Sequence, residues 1–132
     1  MTVRIVRLGS PRRPDEGLRI GTVRRPPRGV PKAEFAAQNW YDVWFPTLAP
    51  SVETMKLGQA ATTPAQWAQF KKKYKAEMAL PDARHALGLL AGLALGTSFS
   101  VGCYCEFEAH CHRGVLRELL VENGAKIEPL SG

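Results

Sequence analysis

One short stretch of the chain concentrates the side chains that do chemistry in proteins. Residues 102–114 read Gly-Cys-Tyr-Cys-Glu-Phe-Glu-Ala-His-Cys-His-Arg-Gly, and so bring together three thiols, two imidazoles, two carboxylates and a guanidinium. Thiolates act as nucleophiles and metal ligands, imidazoles exchange protons near neutral pH, and a guanidinium binds phosphate or carboxylate. We therefore take residues 103–113 as the candidate functional site.

The end of this stretch, Cys111-His112-Arg113, lies at the start of a predicted helix. Backbone N–H groups and the positive end of the helix dipole favour anions there, and they also favour a thiolate over a thiol. We predict that Cys111 and His112 are catalytic and that Arg113 binds an anion. The Cys-x5-Arg loop of cysteine phosphatases is excluded, because Phe107 stands six places before Arg113.

Two other interpretations of the cysteines stay open. Cys103, Cys105 and Cys111, with His110 or His112, carry ligand types that suit zinc or iron, although one residue between Cys103 and Cys105 is fewer than zinc knuckles have. In the second interpretation the cysteines are small core residues. We assign no metal site and leave the cofactor undetermined.

The positive charge is concentrated in the first quarter of the chain. Residues 1–32 carry nine Lys or Arg and two acidic residues, whereas residues 33–132 carry nine basic and ten acidic residues. Such a block attracts phosphates and carboxylates, and within it we predict Arg24 and Arg28 as anion-binding residues. A nucleic-acid-binding or accessory protein is the alternative, although no RNA-binding aromatic motif or zinc-finger spacing accompanies the arginines.

The elements that position these residues follow from the hydrophobic pattern. Strands are predicted near residues 3–7, 18–23 and 97–105, with an edge strand near 126–130, and helices near 32–45, 63–79, 81–95 and 112–123. Ser51 and Thr54 are expected to cap a short helical turn, and Thr63-Pro64-Ala65-Gln66 is typical of a capping box. The closing order of helix, strand, helix and strand predicts an α/β fold, a single compact domain with a mostly parallel sheet flanked by helices.

Length and composition limit the class of protein. The chain has 132 residues, of which 45% are hydrophobic, and this is enough for one domain and one core. We expect a soluble cytoplasmic protein without a membrane partner, because Arg4 and Arg7 interrupt any leader pattern and the longest apolar stretch, residues 86–95, is too short to span a bilayer. Three closely spaced cysteines make a poor disulfide framework and are consistent with a reducing compartment.

Four ordered motifs carry a family resemblance over nearly the whole chain. They are Pro27-Arg28-Gly29-Val30, Leu48-Ala49-Pro50-Ser51, the aromatic helix from Trp67 to Glu77, and Cys111-His112-Arg113. In these motifs the chain resembles the YeaO-like family, bacterial and archaeal proteins classed as a domain of unknown function.

The resemblance implies one YeaO-like α/β domain over residues 1–132 and supports the site, but it implies no reaction. The family's Asp-Arg-Leu-Trp stretch is replaced here by Val23-Arg24-Arg25-Pro26, which keeps only the first arginine in place. If the missing aspartate and tryptophan shape a pocket, substrate choice differs in this chain. We expect an enzyme or a small-molecule-binding domain whose ligand bears a phosphate or a carboxylate.

Overall fold

The computed structural model describes residues 3–105 and 111–128, which form an α/β domain. The four strands are β1 (Val3–Arg7), β2 (Leu18–Gly21), β3 (Val43–Trp44) and β4 (Phe99–Cys103). The four α-helices are α1 (Val52–Ala60), α2 (Pro64–Met78), α3 (Pro81–Leu93) and α4 (His112–Glu122), and short 3-10 turns span Lys32–Glu34 and Pro46–Leu48. The predicted fold class is confirmed.

All pairings in the sheet are parallel, in the order β1-β4-β2-β3. Strand β4 therefore lies between β1 and β2, and Cys103 at its end is in register with Arg7 at the end of β1. Ile127 makes a parallel bridge to Val3, so within residues 126–128, the described part of the expected last strand, the pairing is a single bridge. Ligands in open α/β sheets bind beyond the carboxyl ends of such strands.

Helix α2 begins at the predicted capping box. The Thr63 hydroxyl accepts from the backbone N–H of Gln66, and the Gln66 side chain accepts from the backbone N–H of Thr63. The helix buries Tyr74, whose hydroxyl donates to the carbonyl of Leu48 at 2.6 Å. Ser51 caps α1, which is longer than the single turn expected from the sequence.

The helix predicted over residues 32–45 is wrong. The chain there forms the 3-10 turn, a left-handed residue at Asn39 (φ 63°) and strand β3, in which Trp44 pairs with Gly21 of β2. The helical spacing of the segment favours Trp44 as a core anchor, but its side chain is 44% exposed and its indole N–H donates to the carbonyl of Val23. The aromatic residues of this segment lie in turns and in strand β3, because tertiary contacts override the helical spacing of the sequence.

Helix α3 has the predicted bounds but a different buried face. The apolar spacing of this segment predicts a buried side formed by Ala86, Leu89, Leu90 and Leu93. The helix instead buries Ala83, Leu87, Leu90 and Ala91, so only Leu90 is common to both sets. Leu89 is 62% exposed. The buried face of α3 therefore consists of two alanines and two leucines. Among the described helices, none has the length and apolar character needed to cross a membrane.

The two faces of the sheet differ in chemistry. Phe99 and Val101 join the main hydrophobic cluster together with side chains from α2, α3 and α4. Ser100 lies between them in the strand and therefore points to the opposite face, where its hydroxyl donates to Glu16 at 2.7 Å. Arg19 of β2, which is fully buried, pairs with the same carboxylate. One face is thus an apolar core, and the other holds a buried ion pair covered by loops.

Candidate functional site

A cleft of about 1350 Å³ lies at the carboxyl edge of the sheet. It is bounded by the segments that follow β1, β2 and β4, and by residues of α1 and α2. Its lining includes the arginine, cysteine and histidine side chains of Arg7, Arg24, Arg25, Arg28, Cys103, Cys105, Cys111 and His112. Four of the five residues predicted for the site therefore line this cleft.

His112 is the first residue of α4, and its ring is held in one orientation. Its Nε2 lies 2.7 Å from the carbonyl oxygen of Thr22, so this nitrogen carries the proton and donates it. The other nitrogen, Nδ1, is then unprotonated and lies 3.7 Å from Sγ of Cys111. Burial lowers the pKa of His112 to about 4, the Thr22 bond opposes this shift, and the charge of Arg113 adds to it. The imidazole is therefore neutral and presents a lone pair to the Cys111 sulfur.

Two of the three cysteines come together. Cys111, the N-cap residue of α4, forms a disulfide with Cys103 at the end of β4. Both side chains are buried. Only eight positions separate them, so the link closes a small loop and staples no distant parts of the fold. Cys105 is exposed and free. The Cys103–Cys111 pair therefore lies at the wall of the cleft, where a ligand could reach its sulfur atoms.

The two sulfur atoms and a ring nitrogen of His112 are close enough together to bind one metal ion. Ligand atoms of Cys103, Cys111 and His112 lie within 4.8 Å of one another. The His112 N–H bonded to a backbone carbonyl is the arrangement seen behind many metal-binding histidines. Cys105 is not part of this group within the described residues. Zinc could therefore be held by two thiolates and one imidazole, fewer protein ligands than a closed structural site has.

Arg113 is placed behind the cleft wall and is 5% exposed. Its Nη1 donates to the carbonyl of Cys105 and lies 3.5 Å from both the carbonyl oxygen and Sγ of Cys103. The guanidinium thus holds the end of β4 and brings a positive charge to the Cys103 sulfur. Direct binding of an external anion by Arg113 stays a prediction.

The predicted arginines of the basic block differ in their surroundings. Arg24 is half-buried and donates to the carbonyls of Ala49 and Pro50, at 3.0 and 3.2 Å, so it fixes the turn before α1. Arg28 is exposed on the cleft lining, and so is Arg25, which was not among the predicted anion-binding residues. Arg7, also exposed, reaches the carbonyl of Tyr104 at 3.4 Å. Three exposed guanidinium groups therefore line one cleft.

Aromatic side chains supply an apolar wall. The rings of Trp40 and Tyr104 meet edge to face with centroids 5.9 Å apart, and both line the cleft. The Tyr104 hydroxyl donates to the carbonyl of Arg25 at 2.8 Å, and burial raises its pKa well above the usual range. Tyr104 is therefore a neutral donor that ties the end of β4 to the arginine segment.

Sequence reasoning missed Arg7, Arg25, Trp40 and Tyr104. A signal for Arg7 exists, because a residue that ends one parallel strand lies beside the residue that ends its neighbour. Trp40 could not be found, since its position depends on the turns that replaced the predicted helix. Glu106 to His110, which include one candidate metal ligand, lie outside the described residues.

Comparison with known proteins gives a family but no characterised relative. No curated protein and no solved structure matches the chain. One family model, described as the active DUF488-N3 subclade, matches residues 3–124. The YeaO-like resemblance is consistent with this match. The chain therefore belongs to the DUF488-N3a family.

Proposed function

We propose that this chain is a thiol-dependent enzyme that acts on small molecules bearing a carboxylate or a phosphate. Cys111 is the nucleophile, His112 accepts its proton, and Arg25 and Arg28 bind the anionic group of the substrate. The contact between Nδ1 of His112 and Sγ of Cys111, in an arginine-lined cleft, carries the proposal.

The proton transfer is supported by the orientation of the imidazole. A general base must lie within reach of the proton it takes, and a third group normally orients it. The Thr22 carbonyl orients His112 by accepting from Nε2, which leaves Nδ1 facing the thiol. The start of α4 adds the positive end of its dipole at Cys111. Both effects favour the Cys111 thiolate.

The proposed anion specificity is supported by a difference among the arginines of the basic block, some of which already pair with carboxylates of the chain. Arg4, Arg12, Arg13 and Arg19 of the basic block form ion pairs with carboxylates of the chain itself. Arg7, Arg25 and Arg28 instead have exposed side chains at the cleft. A guanidinium binds carboxylate or phosphate through a planar fork of donors.

The nucleic-acid alternative stays a prediction, and the internal ion pairs weaken it. Four arginines that raised the charge of the block are neutralised locally, so the block is not one continuous basic surface. Binding to nucleic acid would depend steeply on salt. A gel-shift series at low ionic strength tests this alternative directly.

Alkylation of the reduced protein tests the proposal. Iodoacetate and iodoacetamide differ in charge, and peptide mapping distinguishes the labelled cysteines. We expect Cys111 to favour iodoacetate over iodoacetamide about tenfold more than Cys105 does, which corresponds to roughly one charge-assisted contact. Partial desolvation raises the pKa of Cys105 despite the charges of Arg113 and Arg7, so it is a less reactive internal reference.

The variant Arg25→Ala/Arg28→Ala should lose this preference. A matched control is Lys72→Ala/Arg84→Ala, which removes the same charge from exposed helix positions outside the cleft lining. An unchanged preference in the cleft variant contradicts anion binding by these arginines. Labelling of Cys111 no faster than Cys105 by iodoacetamide contradicts an activated thiol.

A further inference from the structure

The thiol of Cys103 has no part in the function proposed above, yet the cleft presents it beside Cys111. The two sulfur atoms are in bonding contact, and both residues line the cleft. Nη1 of Arg113 lies 3.5 Å from the Cys103 sulfur, and a positive charge at that distance favours a thiolate. Once this pair is reduced, its two adjacent thiols can exchange with a substrate disulfide through a mixed-disulfide intermediate.

We propose that Cys103 is the resolving thiol of a dithiol pair, and that the pair reduces low-molecular-weight disulfides that carry carboxylates. This inference rests on the proposed function, since it takes Cys111 as the attacking thiol and the cleft arginines as the anion site. It adds the class of reaction, a two-electron reduction, and the class of substrate.

The first step is an exchange at Cys111. His112 accepts the Cys111 proton, and the thiolate attacks one sulfur of the substrate disulfide. The new bond joins Cys111 to half of the substrate, the substrate S–S bond breaks, and the other half leaves as a thiolate. The leaving thiolate takes the proton from His112, so the imidazole returns to its neutral state.

The second step is the attack of Cys103 on Cys111. The Cys103 thiolate attacks Sγ of Cys111, the mixed disulfide breaks, and the second half of the substrate leaves as a thiolate that takes up the proton which Cys103 had released. The protein is oxidised to the Cys103–Cys111 disulfide, and the substrate is reduced to two thiols. A small thiol or dithiol reductant then returns the pair to its reduced form.

The size and the lining of the cleft favour an organic disulfide over a hydroperoxide. A hydroperoxide is a few atoms in size, whereas the cleft volume of about 1350 Å³ is above the range of ordinary small-molecule sites. The exposed guanidinium groups of Arg25 and Arg28 suit the carboxylates of such a substrate, and Trp40 and Tyr104 offer apolar contact to its remaining atoms.

Trapping the mixed disulfide tests the role of Cys103. Reduced protein is mixed with glutathione disulfide, and the products are followed by intact mass and peptide mapping. Wild-type protein should release both halves of the probe and end with the Cys103–Cys111 disulfide. Cys103→Ser should instead release one half and retain the other on Cys111. Cys105→Ser is the matched control and should behave as the wild type does.

The substrate class is tested with a probe of opposite charge. Cystamine is a cationic disulfide, and we expect Arg25→Ala/Arg28→Ala to lower the rate with glutathione disulfide relative to cystamine by about tenfold. An unchanged ratio overturns the anionic substrate class.

Three results overturn the resolving role itself. They are release of both halves of the probe by Cys103→Ser, persistence of the mixed disulfide in wild-type protein, and stoichiometric zinc in protein purified without added metal. Because serine at position 103 could destabilise the fold, the wild-type product map is a second measurement that stands without the variant. If Cys111 is alkylated with anionic preference but its mixed disulfide is not resolved by Cys103, only the resolving role of Cys103 is contradicted. If Cys111 reacts with neither class of reagent, the proposed function fails as well.

Discussion

Glu16→Ala should lower the free energy of unfolding by about 3–5 kcal/mol, the cost of leaving a buried charge without its partner. Arg19 is fully buried, and its Nε and Nη2 donate to the Glu16 carboxylate at 2.7 and 3.0 Å. Burial alone would raise the pKa of Glu16, but the bonds from Arg19 and Ser100 outweigh it, so the pKa lies below its usual value. Urea denaturation with a two-state fit measures the loss.

Removing Arg19 as well as Glu16 has further consequences, because the Arg19 side chain also donates hydrogen bonds to backbone carbonyls. Its Nη1 donates to the carbonyls of Ser10 and Asn39, at 2.9 and 2.7 Å. The double variant Glu16→Leu/Arg19→Met removes both charges but also removes the Arg19 donor from both carbonyls, although the Asn39 carbonyl keeps its bond from the Gly9 N–H. We therefore expect it to recover only part of the stability lost by Glu16→Ala.

A surface pair supplies the control for this prediction. Glu118 is exposed on α4 and contacts Lys71 and Lys75, which are half-buried on α2, at 3.3 and 3.5 Å. Glu118→Ala should cost less than about 1 kcal/mol, because solvent screens exposed ion pairs. Equal losses in Glu16→Ala and Glu118→Ala would show that burial does not govern the strength of the Glu16–Arg19 pair.

The sequence predicted those elements whose signals are local. The capping box at Thr63, the proline at the start of α3 and the apolar period of α4 each depend on neighbouring residues, and each predicted element is present. The parallel sheet followed from the alternation of strands and helices. The cleft at its carboxyl edge follows from the same topology.

The sequence could not predict features that depend on contacts between distant segments. In the sequence, Arg19 is one more arginine of a basic block. Only the fold shows that its side chain donates to Glu16 and to the carbonyls of Ser10 and Asn39. Arg113 reads as an anion-binding residue at a helix start, yet its described bonds run to the end of β4. Arg19 thus binds a carboxylate and backbone carbonyls of the chain itself, and the described bonds of Arg113 run to backbone carbonyls and to the Cys103 sulfur.

The same limit applies to the cysteines, since spacing alone did not show which of them meet. Strand alternation places Cys103 and Cys105 on the same face, but β4 ends at Cys103, so alternation no longer governs Cys105. The chain returns at α4 and puts Cys111 beside Cys103. Pairing across a strand-to-helix connection is therefore a property of the fold.

Acid should destabilise this protein through His112, by about 2 kcal/mol between about pH 7 and about pH 5 and by about 3 kcal/mol in all. The imidazole has an ordinary pKa of 6.5 in the unfolded chain, whereas burial lowers its pKa to about 4 in the fold. Below about pH 6.5 the unfolded chain binds a proton that the folded protein rejects, so stability falls until about pH 4 and then levels off for this group.

The comparison of wild type with His112→Gln isolates this contribution. The lowered pKa values of Glu16, Asp42 and Glu77 destabilise both proteins at lower pH, so the difference is read above about pH 5, where these carboxylates stay ionised. The variant should show a much flatter stability curve in this range. Curves of equal slope would mean that His112 is protonated in the folded protein at these pH values.

The redox state of the cysteines should change the size of this effect. In the oxidised protein Nδ1 of His112 faces a sulfur without charge, beside the ring of Tyr74 and the charge of Arg113. Reduction lets Cys111 form a thiolate 3.7 Å from Nδ1, and an opposite charge so close favours the imidazolium. Reduced protein should therefore lose less stability between about pH 7 and about pH 5 than oxidised protein. Cys111→Ser, which cannot form the thiolate, should follow the oxidised curve even under reducing conditions.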